Sequence, residues 1–149
     1  MDRIAPQRRS WNMSRIKSQN TDPEIAVRSL LWRMGFRFRL HAAELPGRPD
    51  IVLPRYATVV LVHGCFWHRH RNCRLAYLPK SRVEFWTNKF NANVRRDRRI
   101  SERLRRDGWH VVVVWECQLR RPASVSGRLG RLLQARKVAT HAVKRIAVP

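Results

Sequence analysis

The sequence predicts an α/β fold, a mixed β-sheet flanked by helices. Two apolar runs, Val59-Val60-Leu61-Val62 and Val111 to Trp115, read as buried strands and are far shorter than the ~20 residues of a membrane span. Stretches with helical periodicity stand before, between and after them. Strands and helices thus alternate along the chain, which places helices on the faces of one sheet. A length of 149 residues, 44% of them hydrophobic, suits one domain with a real core.

Residues 1–20 read as a polar, basic arm with Trp11, Met13 and Ile16 scattered through it. Thr21-Asp22-Pro23-Glu24 is a helix start: a capping hydroxyl, proline in the first turn, and acids near the positive helix end. Val27, Leu30, Leu31 and Met34 recur at i, i+3, i+4, i+7, and Gly35 ends the helix. Residues 36–40 (Phe-Arg-Phe-Arg-Leu) alternate like a half-buried strand, and Pro46-Gly47-Arg48-Pro49 is a turn. Residues 50–53 and 57–63 make a hairpin around Pro54-Arg55, and residues 64–80 form an irregular loop rich in Cys, His and Arg. A long helix covers 83–107 and ends at Gly108. Its inward stripe reads Trp86, Phe90, Val94, Asp97, Ile100 or Ser101, and Leu104. Residues 109–115 are continuously apolar, so this strand is expected to be central and covered on both faces. A last helix over about 123–135 and a basic tail follow. The expected organisation is an arm (1–20), a folded domain (21–135) and a tail (136–149).

Lys and Arg total 32 against 10 Asp and Glu, a net charge of +22, and 27 of the 32 are Arg. Such a field binds polyanions, and Arg adds bidentate phosphate contacts, so nucleic acid is the first partner to consider. The N-terminus is basic without the apolar stretch of a secretory signal, and the expected location is the cytoplasm. Three cysteines, an odd number, argue against a disulfide scaffold.

Five constellations carry chemistry. Cys65, His70 and Cys73, with Cys117 downstream, are the donors Zn²⁺ prefers, and spacing leaves His68 as an alternative to His70. Asp50 opens a strand, where a carboxylate can hold Mg²⁺; equally, Pro-Asp is a common turn dipeptide. In His63-Gly64-Cys65-Phe66-Trp67-His68, histidines able to transfer protons flank an aromatic pair that can fill a core or stack on bases. Asp97 falls on the inward stripe of the long helix, paired either with a neighbouring Arg or with a histidine it would orient. On that helix Lys89 and Asn93 share a face and can donate to base edges or simply face water. Glu24 is either a helix N-terminal acid or part of a metal site.

Taken together, Leu45-Pro46-Gly47-Arg48-Pro49-Asp50, the segment from His63 to His68, Arg82-Val83-Glu84-Phe85-Trp86 with Lys89, Asn93, Arg96, Asp97 and Arg98, and Val114-Trp115-Glu116-Cys117 resemble the very-short-patch repair (Vsr) DNA mismatch endonucleases. The resemblance runs from about residue 12 to residue 121. It implies a variant of the restriction-endonuclease-like PD-(D/E)xK core, making 21–135 a nuclease domain with a structural zinc loop. It implies a monomeric enzyme that nicks duplex DNA, with Mg²⁺, on the 5′ side of the T in a T:G mismatch left by deamination of 5-methylcytosine. Asp50 and the Val62 carbonyl would bind Mg²⁺. His68 would transfer protons, oriented by Asp97, with His63 and Glu24 close by. Zinc would take Cys65, His70, Cys73 and Cys117. Phe66, Trp67 and Trp86 would intercalate, Lys89 and Asn93 would read the mispair, and Met13 and Ile16 would enter the minor groove.

Overall fold

The computed structural model describes residues 19–137, so Met13, Ile16 and the end of the basic tail lie outside the described residues. Helix α1 (Asp22–Arg33) starts where Thr21 Oγ1 accepts the Glu24 N–H, with Pro23 in the first turn. Val27, Leu30 and Leu31 form its buried stripe. The helix closes on Met34, and Gly35 follows with φ +91°, a conformation that favours glycine.

Strand β1 is only Arg39–Leu40, and both residues are exposed. The expected five-residue strand over 36–40 is therefore corrected. The Phe36 N–H bonds back to the Leu31 carbonyl, so the helix exit consumes the start of the segment. Phe36 and Phe38 instead pack, partly buried, against the core beneath α1.

Strands β2 (Ile51–Leu53) and β3 (Thr58–His63) pair antiparallel, with Leu53 opposite Thr58. One 3₁₀ turn, Pro54–Tyr56, joins them. Helix α2 (Val83–Arg106) then leads to β4 (His110–Trp115), which lies parallel to β3 from Thr58↔His110 to His63↔Trp115. Glu116–Arg120 is a 3₁₀ turn, and helix α3 (Pro122–Lys137) closes the domain. The mixed four-stranded sheet has the order β1-β2-β3-β4.

The expectation that residues 109–115 form a central strand is corrected: among the described residues β4 is an edge strand of the sheet, and β3 lies inside it. Covering by helices, not position in the sheet, accounts for its apolar run. Val112 and Val114 face a core that includes Leu31 from α1 and Leu129 and Leu133 from α3. Val111 faces the other way, toward Leu104 and Trp109, with Ile100 of α2 packed alongside. Alternation thus sends successive residues to two buried faces.

Two details position the site. The start of β2 and the ends of β3 and β4 lie together, so Asp50, Val62, His63 and Trp115 share one end of the sheet. The turn before β2 presses onto α2: at Gly47, with φ +73°, an added Cβ would come within 2.6 Å of the Ile100 side chain. Only glycine allows that approach, and it brings Asp50 beside the helix that carries Asp97. No helix among the described residues is long and apolar enough to cross a membrane.

Candidate active site and metal cluster

An open cleft of about 1170 Å³ lies at this end of the sheet. Glu24, Asp50, His63, His68 and Asp97 all line it. Glu24 is 3% exposed, at the first turn of α1. Asp50 Oδ2 accepts the Val62 N–H at 2.8 Å. Burial pushes the Asp50 carboxyl up to about 7; the Val62 N–H opposes the shift, and the neighbouring Glu24 carboxylate adds to it. Glu24, His41 and Asp50 offer ligand atoms within 4.8 Å of one another. Two crowded carboxylates, Glu24 buried and Asp50 half-buried, are a donor set that suits a hard divalent cation. In an extended strand the N–H and C=O of one residue point to the same side, so the Val62 carbonyl lies on the β2 side of β3, as its N–H does.

The second group lies beside the first. His68 Nδ1 is 2.6 Å from Asp97 Oδ2. A carboxylate only accepts, so Nδ1 carries the proton and Nε2 is left free. The His63 ring stacks on His68 with centroids 4.0 Å apart, and it packs T-shaped against Trp115. Burial pulls His63 down to about 4, with His68 and Arg96 adding to the shift and Asp97 opposing it. His63 is therefore a neutral ring at neutral pH.

On the far side of the same loop, Cys65, His70, Cys73 and Cys117 place their ligand atoms within 4.8 Å of one another. His70 Nδ1 lies 3.6 Å from Cys65 Sγ and 3.3 Å from Cys117 Sγ. Tetrahedral Zn–S bonds of ~2.3 Å put sulfurs roughly 3.8 Å apart, so the spacing and the donor chemistry fit zinc. Burial pushes the Cys65 thiol up to about 12, and the Leu75 and Ala76 N–H groups draw the Cys73 thiol down. Hydrogen bonds from His68 N–H to the Gly64 carbonyl and from His70 N–H to the Cys65 carbonyl coil the loop. That coil sends His68 into the cleft and His70 to the sulfurs.

Phe66, Trp67, Trp86 and Phe90 form an aromatic cluster whose Phe66 and Trp67 line the cleft, with centroid separations of 5.1 Å for Phe66–Trp67 and 5.9 Å for Trp67–Trp86. The Lys89 ammonium lies 5.8 Å from the Trp67 ring. Asn93 donates its side-chain N–H to the Trp67 carbonyl at 3.2 Å. Both residues thus stand next to the aromatic pair, and Asn93 is already engaged in holding it.

Three neighbours have no role that the sequence suggested. His41 joins the carboxylates, Glu116 accepts the Cys65 N–H at 3.2 Å, and Arg69 donates to the Phe66, Ala76 and Tyr77 carbonyls while stacking on Phe90. His41 follows a two-residue strand and belongs to no spacing motif, so nothing in the sequence marks it. Glu116 and Arg69 each adjoin a singled-out residue, which was the available signal.

A family model for the DNA mismatch endonuclease Vsr matches residues 1–75. The chain is 50% identical over 132 residues to the type II nicking enzyme V.XorIIP of Xanthomonas oryzae pv. oryzae, covering 89% of this chain and 96% of the relative. It is 42% identical over 133 residues to the type II nicking enzyme V.NmeAIP of Neisseria meningitidis, covering 89% and 94%. It is 49% identical over 112 residues to the DNA mismatch endonuclease Vsr of Escherichia coli, covering 75% and 71%. With this cleft and these relatives, the chain is a DNA endonuclease and belongs to the Vsr family of DNA mismatch endonucleases.

Proposed function

We propose that this endonuclease nicks one strand of duplex DNA on the 5′ side of the T in a T:G mismatch, using Mg²⁺, and so starts repair of deaminated 5-methylcytosine. The observation that carries the reading is the junction at residues 66–68. Phe66 and Trp67 end in the aromatic cluster and His68 pairs with Asp97, so a base-stacking surface and a proton-transfer group share one turn of chain.

Asp50 and the Val62 carbonyl would hold the Mg²⁺, with Glu24 beside them. When bound, the cation supplies Lewis acidity at the scissile phosphate. Asp97 holds the His68 proton at Nδ1, so Nε2 is the atom that exchanges a proton with the attacking water or the leaving oxygen. Asp97 also stabilises the imidazolium that forms. His63, neutral and stacked on the same ring, places no competing charge beside it. Phe66, Trp67 and Trp86 would insert next to the mispair, which costs less to unstack than a matched pair. Lys89 and Asn93 would contact its base edges, and Met13 and Ile16 of the arm would enter the minor groove. Zinc would sit on Cys65, His70, Cys73 and Cys117 and hold the loop. The enzyme acts as a monomer in the cytoplasm, where its DNA lies, and the excess of arginine holds phosphates in a salt-sensitive way.

Two end-labelled duplexes, identical except for one T:G in place of C:G, test the reading on a denaturing gel with and without Mg²⁺. A single nick 5′ of the mismatched T, dependent on Mg²⁺, is expected. Equal cutting of both duplexes overturns the mismatch specificity. No cutting across a library of flanking sequences overturns the T:G assignment.

A further inference from the structure

Glu24 is held by groups that belong to no motif of the sequence. The Asn20 N–H donates to Glu24 Oε2 at 2.8 Å, and Arg28 Nη2 donates to the same oxygen at 3.1 Å. The same Arg28 nitrogen lies 3.0 Å from His41 Nε2. An arginine nitrogen can only donate, so His41 Nε2 accepts and its ring proton sits on Nδ1. His41 Nε2 is 3.8 Å from Glu24 Oε2; these two acceptors are bridged by the guanidinium. The donors described here thus converge on one oxygen of a carboxylate whose side chain is 4% exposed. Oε2 is anchored by a cation and a backbone N–H, and Oε1 is the Glu24 oxygen that these donors do not engage.

His41 also reaches the other carboxylate segment. Its N–H donates to the Asp50 carbonyl at 3.3 Å, and its backbone stands at φ +46°. That left-handed conformation is uncommon for a residue with a side chain, and such strain persists where surrounding contacts over-determine it. Here the contacts are the Asp50 carbonyl on one side and Arg28 on the other.

We propose that Arg28 and His41 are positioning residues: they clamp Glu24 Oε2, so that the remaining Glu24 oxygen and Asp50 meet a shared divalent cation from fixed directions. This rests on reading Glu24 and Asp50 as a cation site. A clamp and a mere counter-charge make opposite predictions. Arg28 carries a positive charge into a cation site, so removing charge alone tightens cation binding. Losing the clamp weakens it, because an outer partner that orients a ligand is typically worth about 10- to 100-fold in metal affinity.

The test measures Mn²⁺ binding to the full chain by the EPR signal of the free ion, with thermal melting of each variant alongside. Arg28→Ala should bind Mn²⁺ about 10-fold more weakly than the wild type. His41→Gln, which keeps a neutral acceptor, should bind within about twofold, while His41→Ala should weaken binding. Tighter or unchanged binding by Arg28→Ala overturns the clamp. Should Arg28→Ala not fold, Arg28→Lys decides: it keeps the charge without the planar fork, so weaker binding supports the clamp and unchanged binding overturns it. In nicking assays the weakened variants should lose kcat with little change in KM for DNA. A wild type that binds no Mn²⁺ overturns the cation reading itself, an outcome distinct from wild-type binding that the variants share.

Discussion

His68 and His70 stand two residues apart on one loop and meet opposite chemistry. His68 points into the cleft, where its Nδ1–H donates to Asp97 and His63 covers its ring. His70 points away, with its Nδ1 among the cysteine sulfurs and its ring stacked on Trp115 at 4.2 Å. A carboxylate partner makes an imidazole a proton carrier with a free Nε2; sulfur partners make it a ligand for a soft cation. Residue type and spacing allow either role for either histidine, and the neighbours decide. Trp115 touches both groups, stacked on His70 and T-shaped against His63, so one side chain separates the oxygen-rich site from the sulfur-rich one.

The contrast breaks most visibly at His70. His70→Ala should abolish zinc retention, measured by metal analysis, and should cost more than about 4 kcal/mol in urea unfolding, because binding energy at a structural zinc site is folding energy. Wild-type zinc content and stability in that variant would erase the distinction between the histidines. His68→Ala should do the converse. Nicking should fall roughly 10²- to 10⁴-fold while zinc content and melting temperature stay unchanged, since proton transfer is lost and no metal ligand is.

His63 sharpens the comparison through pH. Its pKa falls from 6.5 to about 4 on folding, so between those values the unfolded chain takes up the proton first. Stability carried by neutral His63 is complete above pH 6.5 and is lost as pH falls toward 4. The unfolding free energy of the wild type relative to His63→Gln should therefore drop by about 3 kcal/mol between pH 7 and pH 4. A constant difference would mean that burial does not hold His63 neutral. The smallest effect concerns Asp97. Asp97→Asn should slow nicking about 10- to 100-fold, and Asp97→Ala at least as much, with DNA affinity and zinc content intact. Equal nicking by all three proteins would detach His68 from its partner.

Most of the fold was legible because it follows local rules. The Thr21 cap, the α1 stripe, the hairpin and the length of α2 are each written in neighbouring residues. The two misread strands show where such rules stop. The alternation at 36–40 answers to packing under α1 rather than to a ladder, and the apolar run of β4 reports two covered faces at the edge of the sheet. Asp50, His63, His68 and Asp97 could be picked out singly, since a carboxylate on a helix's apolar stripe or histidines around an aromatic pair violate an ordinary pattern.

The sequence by itself determined the inventory: an α/β fold, a strongly basic chain, four donors of sulfur and imidazole type, and a set of acids and histidines resembling a known nuclease family. These are properties of residue type and short spacing, which the chain carries whether folded or not. The tertiary structure alone decided which donor meets which partner. His68 is separated from Asp97 by 29 positions, His70 from Cys117 by 47, and Arg28 from His41 by 13. The two histidine pairings of the loop depend on β3 and β4 ending side by side and on the coil of residues 64–70, and the third on His41 following β1 beside α1. Hydrogen bonds and coordination act over about 3 Å, while sequence patterns report only what lies within a few residues along the chain.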